Sequence, residues 1–206
     1  MRSKQLMAGL LMLGAAALSG CTFAGGPMSF QPKYGAVTDS GYRVPSVPTA
    51  KVPQKYHRQM VDYPTNEKPG TIIVETGQRH LYFVMPGGKA MRYGIGVGRQ
   101  GFEWRGTARI AAKREWPSWT PPKEMIQRKP ELAEFRDGMD PGLDNPLGAR
   151  ALYLFNRGGD SGYRLHGTPE WWSIGKAMSS GCIRLLNQDI IELYDRTETG
   201  AKVIVR

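Results

Sequence analysis

Cysteine is scarce in this 206-residue chain: Cys21 and Cys182 are the only two, too few for a disulfide framework. Histidine is nearly as scarce, with three residues and no carboxylate spacing that would complete a zinc site, so no metal or other cofactor is expected. No window reaches the roughly 18 apolar residues that cross a membrane. Acidic residues are outnumbered, 18 Asp+Glu against 28 Lys+Arg, for a net charge of +10. The cations are scattered along the chain, which argues against a nucleic-acid partner. They fit either plain solubility or attraction to anionic lipids and wall polymers. With 40% hydrophobic and 22% charged residues, most of the chain has the composition of a folded protein. Its length allows one domain plus extensions.

The first 20 residues read as a secretory signal. Arg2 and Lys4 supply the positive start, and Leu6 to Leu18 is uncharged and largely apolar, suited to an h-region and too short to span a bilayer. Leu18-Ser19-Gly20-Cys21 resembles a bacterial lipobox. That resemblance implies cleavage before Cys21 and lipidation of its thiol, with acyl chains contributing about 0.8 kcal/mol per buried CH₂ to membrane anchoring. Residues 22–65 hold four Gly and six Pro, and 21–65 are expected to form a lipidated tether. The expected catalytic unit is 66–206. Cys182 would then be the one free thiol of an exported chain, in an oxidising compartment where spare thiols tend to be lost.

From Thr71 onward β-branched residues and period-two alternation take over. Strands are expected over 71–75, 79–84, 90–97, 109–113, 151–155, 163–165 and 202–206. One helix is expected over 189–196, with Asn187 as its cap and Gly200 beyond its end. Many short strands and one helix of any length point to a mainly β sandwich or cradle, and no strand–helix alternation supports a doubly wound fold. Gly94-Ile95-Gly96-Val97-Gly98 lacks the following helix of a phosphate loop and reads as a strand with close backbone packing. Trp116 to Gly148 has no strand character, opens on two Trp among prolines and is expected to form an ordered lid, with short helical pieces at 123–128 and 131–136. A hydrophobic plug over a core edge explains the same residues.

The chemistry-bearing residues concentrate in 164–185. A thiol attacks as thiolate, and an imidazole can take its proton, which makes His166 and Cys182 a candidate pair if the 16-residue connector folds back. Ser179-Ser180-Gly181 before the thiol offers small residues whose backbone N–H groups can surround an oxyanion. Arg184, two residues past Cys182 on a strand, shares its face and can meet a carboxylate. By residue type alone a buried structural thiol and a structural histidine account for the pair as well. His57 and His80 read as exposed bystanders.

His166-Gly167-Thr168 followed by Ser179-Ser180-Gly181-Cys182-Ile183-Arg184-Leu185 resembles the signature of YkuD-type L,D-transpeptidases. Trp116-Pro117-Ser118-Trp119-Thr120-Pro121-Pro122 and Asn145-Pro146-Leu147-Gly148 are similar to segments of that family's periplasmic members. The resemblance covers roughly Thr71 to Arg206. It implies Cys182 as nucleophile, His166 as base, the Gly167 carbonyl as orienter of the imidazole, and N–H groups of Ser180, Gly181 and Cys182 as oxyanion hole. Arg184 would organise the site or a substrate carboxylate. Many relatives carry His where this chain has Ser180, so any role of that second imidazole cannot operate here.

The implied reaction is acyl transfer from a peptidoglycan tetrapeptide stem, with loss of D-Ala and a thioester on Cys182. An amine of a second stem, or of an outer-membrane protein, would resolve it; with water the enzyme is an L,D-carboxypeptidase. Trp119, Trp171 and Trp172 are candidates for the substrate groove, and core packing accounts for them nearly as well. The implied location is the periplasm, anchored through Cys21, the outer membrane favoured over the inner. A non-enzymatic wall-binding lipoprotein with a buried Cys182 is the main rival. A papain-like peptidase is disfavoured because its Cys precedes its His in the chain. A sortase is disfavoured because its His and Cys lie further apart and its Arg further downstream.

Overall fold

A computed structural model describes residues 32–100 and 104–206; the expected signal segment, Cys21 and the start of the expected tether lie outside the described residues. Two short strands, β1 (Val37–Asp39) and β2 (Tyr42–Val44), form a hairpin, and β3 (Gln59–Asp62) follows. The alternating run after Thr71 gives β4 (Ile72–Glu75), β5 (His80–Met85) and β6 (Lys89–Gly94), with β7 (Val97–Gly98) and the long β8 (Gly106–Glu115) beyond them. The lid segment contains α1 (Lys123–Arg128) and a 3₁₀ stretch over Pro130–Phe135. Next come β9 (Arg150–Asn156), β10 (Gly159–Thr168), β11 (Ala177–Ser179), β12 (Ile183–Leu186), α2 (Asn187–Arg196) and β13 (Lys202–Val205).

Nine strands join in one sheet in the order β12-β10-β9-β8-β13-β4-β5-β6-β3. Most neighbours are antiparallel; β10 with β12 and β13 with β4 are parallel. Ile72, Val74, Leu81, Ile110, Leu152, Leu154, Leu165, Ile183, Leu185 and Val203 come from alternate positions of these strands and bury one core, which Ile190 and Leu193 of α2 close. Helix α2 therefore packs on the face carrying these residues. The mainly β expectation holds. Among the described residues no helix is long and apolar enough to cross a membrane.

Residues 32–65 depart from the expected tether. Strand β3 extends the main sheet by pairing Gln59–Asp62 with Lys89–Arg92 of β6. Tyr34 is buried with Ile174 and Leu186, and its hydroxyl donates to Asp189 Oδ2 at 3.2 Å. Arg58 is buried as well, with Nη1 3.4 Å from Asp189 Oδ1 and its backbone N–H donating to the Tyr34 hydroxyl at 2.6 Å. The Gln188 side chain donates to the Gly35 and Pro45 carbonyls. Proline and glycine content set the irregular path of this segment. Its buried apolar side chains, Tyr34, Val44 and Val52, hold it on the domain.

Asn187 departs too: it is the first residue of α2, and its Oδ1 accepts from the Ala149 N–H at 3.0 Å instead of capping the helix. His57 and His80 are half-buried, each with Nε2 2.9 Å from a backbone carbonyl, Val52 and Lys55 respectively. Close packing at Gly94 and Gly96 is as expected: a Cβ at Gly94 would lie 2.3 Å from the Tyr56 carbonyl oxygen, and one at Gly96 2.7 Å from that of Ser173.

Burial pushes the Asp189 carboxyl up to about 7, while Arg58 and the Tyr34 hydroxyl hold it down. Removing one partner of a buried pair leaves the other uncompensated. Arg58→Ala is expected to lower stability by about 3 kcal/mol, with Asp189→Asn in the same chain recovering part of the loss. Urea midpoints of the three proteins check this; an Arg58→Ala midpoint equal to wild type would refute it.

Candidate active site

Parallel pairing of β10 with β12 builds the site. Leu165 lies opposite Ile183 and His166 opposite Arg184. Alternate residues of a strand face opposite sides of the sheet. Leu165, Ile183 and Leu185 therefore enter the core, while Arg164, His166, Cys182 and Arg184 share the other face. All four line one cavity of about 470 Å³. Trp119, Pro122, Met125 and Leu132, from the segment between Trp116 and Gly148, line it as well.

The connector from β10 to β12 crosses over without a helix. Trp171–Ser173 makes one 3₁₀ turn, and β11 then pairs in parallel with β7, bringing Ser179 opposite Gly98. At the end of β11, Ser179 ties the turn before the thiol: its hydroxyl donates to the Cys182 carbonyl at 2.6 Å and accepts from the Gly181 N–H at 3.2 Å. Gly181 sits at φ +123, where an L side chain is strained. At rest, then, the Gly181 N–H, one of the three expected oxyanion-hole donors with those of Ser180 and Cys182, is engaged within its own turn.

His166 is buried, and its Nδ1 lies 2.6 Å from the Gly167 carbonyl oxygen. A carbonyl only accepts, so Nδ1 carries the proton and the Nε2 lone pair is left as the base. Gly167 is itself fixed from behind. A Cβ there would lie 2.3 Å from Asn187 Oδ1, and one at Gly148 would lie 2.2 Å from the same oxygen.

Burial first, with the charges of Arg184 and Arg164 adding to it, lowers His166 to about 4, while the Gly167 and Pro146 carbonyls oppose the shift. Burial also raises the half-buried Cys182 thiol, against a backbone hydrogen bond from Arg164 and the charges of Arg164 and Arg184. At neutral pH the resting pair is therefore thiol and imidazole, both uncharged. The thiol lies 3.9 Å from the Gly162 carbonyl oxygen, and among the described residues no hydrogen bond joins Cys182 to His166. Such contacts commonly tighten only once substrate is bound.

Both guanidiniums on this wall are paired. Arg164 meets Asp160 through two bonds, 2.6 and 2.7 Å, and lies 4.3 Å from the Tyr153 ring. Arg184 Nη1 donates to Glu170 Oε2 at 2.6 Å, and its buried Nε finds no partner among the described residues. Trp119 lines the cavity, held by reciprocal backbone bonds with Met139. Trp171 and Trp172 do not line it, a correction to their expected groove role: Trp171 packs on the Tyr34–Ile174–Leu186 cluster, and Trp172 is 47% exposed.

Asn145 was legible only as part of a motif; it is fully buried and closes the lid at its base. Its amide donates to the Pro117 and Asp140 carbonyls, and its Oδ1 accepts from the Leu147 N–H. Arg164 was missed because its strand was expected to end at Leu165, which hid the shared face with His166.

With this geometry in place, the family model for the YkuD L,D-transpeptidase catalytic domain matches residues 69–205. The chain belongs to the YkuD family. This YkuD domain is 36% identical over 137 residues to the probable L,D-transpeptidase YcfS of Escherichia coli (strain K12), covering 64% of this chain and 42% of that protein. It is 40% identical over 101 residues to a putative L,D-transpeptidase in the ATP synthase subunits region of Fuscovulum blasticum, 49% of each chain. The chain thus spans less than half the length of these curated relatives. A crystal structure from Brucella melitensis, described as a probable carnitine operon oxidoreductase, is 46% identical, covers 77% of this chain and 99% of that one, and has a TM-score of 0.52.

A folded-state value for His166 below the unfolded value near 6.5 means that the unfolded chain binds the extra proton. This contribution to stability is intact above pH 6.5 and is lost as pH falls toward 4. Between pH 7 and pH 5 the wild type should lose about 2 kcal/mol more than His166→Gln. Parallel urea titrations of the two proteins at both pH values measure the difference, and equal losses would contradict it.

Proposed function

We propose that this protein is a peptidoglycan L,D-transpeptidase acting through a thioester on Cys182. The observation that carries the reading is the shared face of Arg164, His166, Cys182 and Arg184 in one lidded cavity, within a chain of the YkuD family. The donor is a tetrapeptide stem bearing meso-diaminopimelate at its third position. His166 Nε2 takes the Cys182 proton as sulfur attacks the carbonyl at the L-centre of that residue. The tetrahedral oxyanion is met by the N–H groups of Ser180 and Cys182. Collapse breaks the bond to D-Ala, whose amine leaves with the proton held by His166. An amine then attacks the thioester, the imidazole takes the amine's proton and returns one to sulfur, and a new amide forms.

The acceptor amine belongs to a second stem, giving a 3–3 cross-link, or to an outer-membrane protein; water in its place gives carboxypeptidase action. The lipobox-like Leu18 to Cys21 supports a periplasmic protein held by lipid on Cys21, at the outer membrane. An oxidoreductase reading, which the description of the Brucella melitensis structure raises, has less support. The Gly94 to Gly98 run passes from β6 to β7 through a bridge of Gly96 with Arg184, with no helix after it to cradle phosphates.

Incubated with a disaccharide-tetrapeptide, the protein is expected to release D-Ala, and Cys182→Ala to lower that rate by more than about 10³-fold. Intact mass should show one carbapenem adduct on the wild type and none on Cys182→Ala. D-Ala release unchanged in Cys182→Ala would overturn the reading.

A further inference from the structure

Glu170 is the only acidic side chain among the described residues lining the cavity, where Arg99, Lys129, Arg164 and Arg184 supply the opposite charge. Its carboxylate lies on the connector just before the 3₁₀ turn, 42% exposed, with Oε2 accepting from Arg184 Nη1. Asp160, the partner of Arg164, is not on the cavity wall. A cavity shaped for a simple anion would leave Arg184 unpaired, because a carboxylate 2.6 Å from the guanidinium repels a second one. A fixed pair of opposite charges, open on one side, instead complements a ligand end that carries both charges close together. A free α-amino-acid group has that pattern: an ammonium and a carboxylate on one carbon.

We propose that Glu170 and Arg184 together read the zwitterionic D-centre of the diaminopimelate donor, Glu170 accepting from its ammonium and Arg184 donating to its carboxylate. This rests on the transpeptidase reading and deepens it. The thiol and Arg184 are two residues apart on one face and line one cavity with Glu170, so the pair lies within that cavity beside the carbonyl-binding position, where the far end of the same side chain can meet it. The half-exposed side of Glu170 leaves its carboxylate open to a second donor. Selection then works by charge pattern: a stem whose third residue ends in an ammonium alone, or a carboxylate alone, satisfies half of the pair and leaves the other half desolvated.

The test uses two donor stems, a disaccharide-tetrapeptide with meso-diaminopimelate and the same molecule acetylated on the D-centre amine. Excess hydroxylamine serves as a common acceptor, so that only the donor half-reaction is compared through D-Ala release. The wild type should prefer the intact stem in kcat/KM by about tenfold, the size of one charge-assisted hydrogen bond, with the difference in KM. In Glu170→Gln, which keeps an oxygen for Arg184, and in Glu170→Ala, that ratio should fall toward one. A ratio near one in the wild type, or one kept at the wild-type value in both variants, overturns the assignment of Glu170. No D-Ala from either stem with the wild type overturns the transpeptidase reading itself, and this inference with it.

Discussion

The register of β10 against β12 is the constraint on which the site depends. With Leu165 opposite Ile183, the side-chain period of two sends one set of residues into the core and the other into the cavity. A one-residue slip of β10 would turn Arg164 and His166 into the hydrophobic interior and expose Leu165, and the same slip of β12 would bury Cys182 and Arg184 and expose Ile183 and Leu185. Burial of those three aliphatic side chains therefore fixes the position of the cavity-lining ones. The same burial removes water from the imidazole, which lowers its proton affinity and keeps it neutral at physiological pH.

Behind that register stands a junction made of one polar atom and two glycines. Asn187 Oδ1 meets the Ala149 N–H and leaves no room for a Cβ at Gly148 or Gly167. The start of α2, the end of the lid and the carbonyl that holds His166 Nδ1 are thereby locked together. The lid is braced from its other end by the N-terminal hairpin: the Tyr42 ring stacks on Trp116 with centroids 4.0 Å apart, and the Trp116 indole donates to Asp39 Oδ2 at 2.7 Å. Arg150 completes the brace with two bonds to Asp39. The segment that composition marks as a spacer is, over its described part, a support for the cavity wall.

Local rules account for much of what was readable. Short runs of apolar, β-branched and aromatic residues bounded by turn signals located β4, β5, β9 and β13, because buried strands need such residues to pack. The six residues of α1 fall where prolines open the lid, at a position where a missing N–H costs nothing. The thiol, the imidazole and Arg184 stood out by their concentration within twenty residues. The rest needed contacts between distant parts of the chain. Nothing local tells Tyr34 that Asp189 will be its partner 155 residues away, or Glu170 that it will be the acidic member of a cationic wall. Trp171 and Trp172 showed the limit in the other direction: an indole looks the same in a sequence whether it lines a groove, fills a core or meets solvent.

The sequence by itself determined a mainly β domain of the YkuD family and the identity of its reactive thiol and imidazole candidates, because periodicity and residue chemistry are properties of short stretches. Only the tertiary structure decided that residues 32–62 belong to the fold, that the Gly181 N–H is bonded within its own turn, and that the resting thiol and imidazole are uncharged. Those outcomes depend on burial and on partners brought together from far along the chain, and both arise only when the sheet closes over its core.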